Sequence, residues 1–170
     1  MTQTISFACE GFPVPKGSFT PVGNGRFRPA GNPDKINAWR NDVRFAAKLA
    51  MDGRAPFTGA IRLSVDFALP YPHSLIRKYQ FGWYPPIKKP DMDKLLRSVC
   101  DHLTGIAWAD DSQVCYCTMN KSYAWDDVPG AYIEVTEMDD DWLKRYGSTR
   151  SLIKQVIADE QSVSVVWPEP

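Results

Sequence analysis

The sequence predicts a single mixed α/β domain of the α+β kind, a small β-sheet carrying two main helices. Three observations predict it. Apolar residues alternate with polar ones in several short stretches, the mark of half-buried strands. Elsewhere they recur every three to four residues, as on one face of a helix. And 170 residues, 44% of them apolar, suffice for one ordinary domain with a real core.

The first strand signal is Thr2 to Cys9, where Ile5, Phe7 and Cys9 alternate with polar neighbours. Gly11 to Gly31 is rich in glycine and proline, with Lys16, Arg26 and Arg28 interspersed and a hairpin expected around Gly23-Asn24-Gly25. It serves either as a mobile basic arm that touches phosphates or as plain surface loop. Asn32 is placed to cap a helix whose first residue is Pro33. Ile36, Trp39, Val43, Ala46, Ala47 and Ala50 give that helix an apolar face, and it should end near Asp52-Gly53. Arg40, Arg44 and Lys48 form a basic ridge on another face, suited to a phosphate backbone or simply to water.

Gly59 to Leu69 alternates again, and Pro70 ends it. Tyr71 to Ile87 carries five aromatics and three prolines with His73, Arg77 and Lys78, and reads as a loop or lid. Its rings either stack on nucleobases or pack as a satellite cluster. A second helix starts near Asp91, buries Leu95, Val99 and Leu103 and stops at Gly105. Strands follow at Gln113–Lys121 and Gly130–Glu137. Cys115 and Cys117 form a C-x-C pair without His or Cys partners, so they read as structural. The tail from residue 139 is expected to hold a short helix from Ser148 and a strand at 163–167, and reads as an extension appended to the domain 1–138.

Composition bounds function only loosely. No apolar run approaches membrane-spanning length, and Met1 to Ile5 shows no basic-then-apolar leader, so a cytosolic protein with reduced cysteines and no membrane partner is expected. Net charge is zero, yet residues 1–98 hold 15 basic and 7 acidic side chains while residues 99–170 hold 5 and 13. A basic half of that kind suits an anionic polymer, as it suits a merely two-sided surface.

The sharper signal is acidic. Asp91 and Asp93 follow a proline at the start of the second helix, and Asp110-Asp111 stand where the next strand begins. Either acid of the first pair is also explained as a helix cap. Residues 104–109, reaching about 20 Å if extended, are about long enough to run back along a helix of roughly 18 Å. That path brings the two pairs together. Carboxylates so crowded need a cation, and an all-oxygen set favours Mg²⁺ or Mn²⁺. Such an ion polarises a phosphodiester and orients a water. Arg97 lies four residues after Asp93 on the same helix face, placed to pair with it or to reach a phosphate. Lys88, Lys89 and Lys94 add positive charge around the same spot.

The stretch Lys89-Pro-Asp-Met-Asp-Lys-Leu95, then Asp101-His-Leu-Thr-Gly-Ile106, then Asp110-Asp-Ser-Gln-Val114, resembles the signature of RusA-type Holliday junction resolvases. The flanking strands and the Pro13–Gly17 loop are similar to members from phages and prophages. The resemblance covers roughly residues 3–138. It implies a RusA-like homodimer that cuts four-way DNA junctions with Mg²⁺ in recombination and repair, in a bacterial cytoplasm. The implied catalytic acids are Asp91, Asp93 and Asp111, with Asp110 as an adjacent metal ligand. The family's catalytic lysine falls on Arg97, and its usual asparagine on Lys94. An arginine keeps the charge but does not donate a proton at ordinary pH, so Lys94 stands as the neighbouring amine. Lys16, Arg26, Arg28, Arg40, Arg44, Lys88 and Lys89 are the expected DNA contacts. A non-catalytic junction-binding protein of the same fold is the alternative.

Overall fold

In the computed structural model, the structure describes residues 2–17, 19–21, 23–24, 26–29, 32–75, 84–124, 128–139, 141 and 144. The strands are β1 (Gln3–Glu10), β2 (Phe19–Pro21), β3 (Phe27–Pro29), β4 (Ile61–Pro70), β5 (Val114–Ala124) and β6 (Gly130–Glu137). The long helices are α1 (Pro33–Met51) and α2 (Met92–Leu103). Four strands form a mixed sheet in the order β1-β6-β4-β5, and β2 pairs with β3 as the expected hairpin. The expected helix and strand of the tail, and residues 76–83 of the aromatic stretch, lie outside the described residues.

Alternation decides which face of the sheet is covered. Ile5, Phe7 and Cys9 of β1, Ile61 to Leu69 at every second position of β4, and Ala131, Ile133 and Val135 of β6 are all buried. Their neighbours Ser6, Ser64, Asp66 and Tyr132 face the other way, half-buried or exposed. Both helices pack on the apolar face, α1 through Trp39, Val43, Ala47 and Met51 and α2 through Leu95, Val99 and Leu103. Each side chain of this kind taken out of water stabilises the fold by about 1.5–3 kcal/mol.

α1 begins and ends as the sequence predicts. The Asn32 side chain accepts from the Asp34 N–H at 2.9 Å, Pro33 occupies the first turn, and Asp52 closes the helix in the left-handed region. β6 returns beside β1 only because Gly130 has no side chain, since a Cβ there would lie 2.3 Å from the Cys9 carbonyl oxygen.

β4 and β5 run parallel, so the chain between them must cross over, and α2 is that crossover. Gly105, at φ +76°, turns the chain out of α2. Residues 104–109 do not run back along the helix. The Ile106 and Ala107 N–H groups both donate to the Leu103 carbonyl at 2.9 Å, and Gly105 N–H donates to the Trp108 carbonyl at 2.7 Å. Ile106, Ala107 and Trp108 are buried under this end of the helix. The expected extended return is thus replaced by a tight turn, because its three apolar residues gain more by burial than by running exposed along α2.

His102 is 6% exposed, and among the described residues its Nδ1 has no hydrogen-bond partner. Arg44 of α1 donates to its backbone carbonyl at 3.2 Å, tying the two helices. Loss of hydration pushes the imidazole pKa down to about 4, with Asp101 opposing and Arg40, Arg44 and Lys16 reinforcing the shift. Between pH 6.5 and 4 the unfolded chain therefore holds a proton at His102 that the folded chain does not. Stability contributed by the neutral ring is present above pH 6.5 and is lost as pH falls through that window. Thermal melts from pH 7 to 4 should show a falling Tm, with a shallower fall for His102→Gln than for the parent.

Candidate nuclease site

Asp91 is the N-cap residue of α2 by position, in extended conformation, but its side chain makes no capping bond. Its Oδ2 accepts from the Lys94 ammonium at 2.7 Å. That hydrogen bond, followed by the Lys94 charge, holds the Asp91 carboxyl below the ordinary carboxylate range and raises the Lys94 amine in turn. Both side chains remain about 40% exposed, so the pair orients the carboxylate more than it stabilises the fold. The preceding loop is fixed from the sheet. The Lys121 ammonium, on β5, donates to the carbonyls of Lys88 (3.2 Å) and Pro90 (3.0 Å). Sequence reasoning missed Lys121, whose only signal is an inward polar position near the strand's end.

Asp93 and Arg97 are exposed one turn apart on α2, and Cys100 and Thr104 continue the same stripe toward the far end. There the chain places Asp111. Its Oδ1 accepts from the Thr104 hydroxyl and from the Trp108 indole N–H, the latter at 3.0 Å. Trp108 is fully buried, and a buried indole N–H requires an acceptor. Asp111 therefore satisfies the core with one oxygen and leaves its carboxylate at the surface. Cys100 lies close enough that Asp111 adds to the burial that pushes its thiol up to about 12, so it is an unreactive thiol.

Asp110 does different work from its neighbour. It caps the 3₁₀ turn Asp111–Gln113, accepting from Ser112 N–H at 2.8 Å. Hydrogen bonding from Ser112 holds its carboxyl below the usual range. Gln113 completes a capping box. Its Oε1 accepts from Ala109 N–H (2.8 Å) and Asp110 N–H (2.9 Å), while its Nε2 donates to the carbonyls of Phe57 (3.0 Å) and Gly59 (2.9 Å). Every donor and acceptor of that amide is used, which gives the Gln of the motif a structural role.

The two acidic pairs are thus not gathered in one chain. Asp91 and Asp93 open α2, Asp111 sits past its end, and twelve helical residues separate them by about 18 Å. Among the described residues no three His, Cys, Asp or Glu side chains lie close enough to hold a metal ion. A cage of Asp91, Asp93, Asp110 and Asp111 within a single chain does not fit this geometry.

The expected DNA contacts divide. Lys88 and Lys89 are exposed beside Asp91, and Arg26 and Arg40 are exposed. Lys16 instead pairs with Asp101 at 2.5 Å, and its backbone N–H donates to the Lys94 carbonyl at 3.0 Å, so this part of the glycine-rich loop is docked across α2. Arg44 is engaged with α2, and the Arg28 side chain lies outside the described residues. Among the described residues no helix is long and apolar enough to cross a membrane.

The family model of endodeoxyribonuclease RusA matches residues 14–136, a span that includes α1, the crossover and every acid discussed above. No curated protein matches the chain.

The Asp91–Lys94 contact is directly measurable. In Lys94→Met, a carboxyl-detected NMR titration should place the Asp91 pKa higher than in the parent, because its chief source of depression is gone. An unchanged Asp91 titration would mean that another group holds it.

Proposed function

The chain belongs to the RusA endodeoxyribonuclease family, and from that premise we propose that it is a Mg²⁺-dependent, structure-selective endonuclease that resolves four-way DNA junctions as a homodimer. The observation that carries the reading is the separation of its acids along α2. One end of the helix presents Asp91 and Asp93, the other presents Asp111, and the face between them, with Arg97, is open. A two-fold related copy packed with its α2 antiparallel would bring its Asp111 to the Asp91 and Asp93 of the first chain, and the reverse. That arrangement makes two equivalent sites, as two symmetric nicks require. The edge position of β5 supports it: among the described residues β5 pairs with β4 alone, and residues 115–118, a few positions after Asp111, are exposed, where an edge strand invites a partner.

In this reading Asp91, Asp93 and Asp111 are the ligands, with Mn²⁺ an acceptable substitute for Mg²⁺, and the cation supplies charge neutralisation at the phosphodiester. Asp110 keeps its cap. Arg97 and Lys94 face the phosphate, Arg97 as a fixed charge and Lys94 as the amine that can exchange a proton. Lys88 and Lys89 hold the flanking backbone. The cytoplasm is the expected place of action. Junction binding without turnover is a second reading, favoured by the arginine at the position of the family's lysine.

A synthetic four-way junction with Mg²⁺ should be nicked, and Asp91→Asn and Asp111→Asn should each bind it yet lose cleavage by about 10²-fold or more. Mixing the two dead variants is the discriminating step. A site shared between copies leaves the mixed dimer one intact site, so single nicks should return. Acids acting within one chain would leave the mixture as inactive as either variant. If the unaltered protein binds junctions without cutting any branched DNA, and Arg97→Lys then cuts, the second reading replaces the first. In an active parent, Arg97→Lys should instead hold or lower the rate.

A further inference from the structure

An apolar cleft of about 620 Å³ opens beside Asp91, and the chemistry of the acids leaves it unused. Its floor is Leu69 at the end of β4, 3% exposed, with Pro13 buried alongside. One wall is Tyr123, held edge-on against Tyr71 with ring centroids 5.3 Å apart and planes at 61°. The other lip is Phe12, an aromatic left 63% exposed at the start of the glycine-rich loop. Among the described residues nothing covers this ring, which stands at the mouth of an apolar cleft.

The rim is charged where the walls are not. Lys88, Lys89 and Lys94, the last paired to Asp91, also line the cleft. Neither a metal nor a solvated acidic peptide suits an apolar slot with ring walls. A flat apolar group flanked by anions does, and within a DNA strand that group is a nucleobase between two phosphates. Aromatic walls accept any base through its π face, and a cationic rim tracks the backbone. Displacing a base from its stack costs least where pairing is already interrupted, as at a branch point.

We infer that the cleft formed by Phe12, Leu69 and Tyr123 takes one unstacked nucleobase from the strand whose phosphate lies at Asp91. This rests on the reading of the protein as a junction nuclease. The cleft then fixes the strand's register, so that one phosphate among several is presented to the acids. It makes Phe12 and Tyr123 positioning residues.

The test is a double-mutant cycle between protein and DNA. Each nucleotide near the branch point of a synthetic four-way junction is replaced in turn by an abasic one. Binding is then measured by fluorescence anisotropy, with cleavage suppressed by Asp111→Asn. At one position within a few nucleotides of the cut, the abasic change should weaken binding by about ten-fold when Phe12 is present. In Phe12→Ala, a change on an exposed side chain that the fold tolerates, the same abasic position should matter little. The two losses should then fail to add. Tyr123→Leu should uncouple the same position. Penalties that add at every position, in both variants, overturn the inference. If the unaltered protein still cuts the junction, additivity removes the cleft alone. A protein that binds no branched DNA removes the nuclease reading and the cleft with it.

Discussion

Two strands that lie parallel in a sheet cannot be joined by a tight turn, and β4 and β5 are such a pair. The crossover between them has to be long and has to lie on a face, and α2 meets both requirements by burying Leu95, Val99 and Leu103 against the sheet. Everything at the candidate site follows from that placement. The loop entering α2 carries Lys88, Lys89 and Asp91 to one end. The turn leaving it carries Asp110 and Asp111 to the other. The outward stripe holds Asp93 and Arg97 in a row that the core cannot use.

The elements were legible because their signals are local and redundant. Asn32 and Pro33 start α1 where a cap and a first-turn proline should, and the alternation through Ile61, Leu63 and Val65 assigns β4 without ambiguity. The path after Gly105 was not legible by chain length alone. Six residues have the reach to return along the helix, but Ile106, Ala107 and Trp108 are apolar, and an extended return would leave them in water. Their burial keeps the turn local and sends Asp111 to the far end. The apolar triplet was visible in the sequence and outweighs the count of extended residues.

Adjacent acids also part company for reasons the sequence only half shows. Asp110 and Asp111 read as a pair, yet one caps a 3₁₀ turn and the other answers a buried indole. Asp91, by contrast, has the position of a cap and does not cap, because Lys94 draws its carboxylate away from the helix N–H groups. Capping propensity is a statement about residue type at a position. Whether the oxygen reaches the backbone depends on which competing donor stands one turn on, and Lys94 is a charged donor, which makes the stronger bond.

That competition bears on what Lys94 and Arg97 contribute. Lys94 is engaged with the first acid at the mouth of the cleft, and Arg97 stands one turn after the second acid, facing outward. In the proposed reading, a phosphate arriving at Asp91 brings negative charge to a carboxylate already neutralised by an amine. The amine must then turn to the phosphate or remain with the acid. Lys121 matters at that moment, because by holding the Lys88 and Pro90 carbonyls it fixes the loop on which Asp91 sits. The carboxylate can exchange one partner for another while its backbone stays where β5 anchors it. In the proposed shared site, a backbone held by Lys121 and a carboxylate free to change partners would let Asp91 meet a ligand from a second copy and a phosphate from DNA in turn.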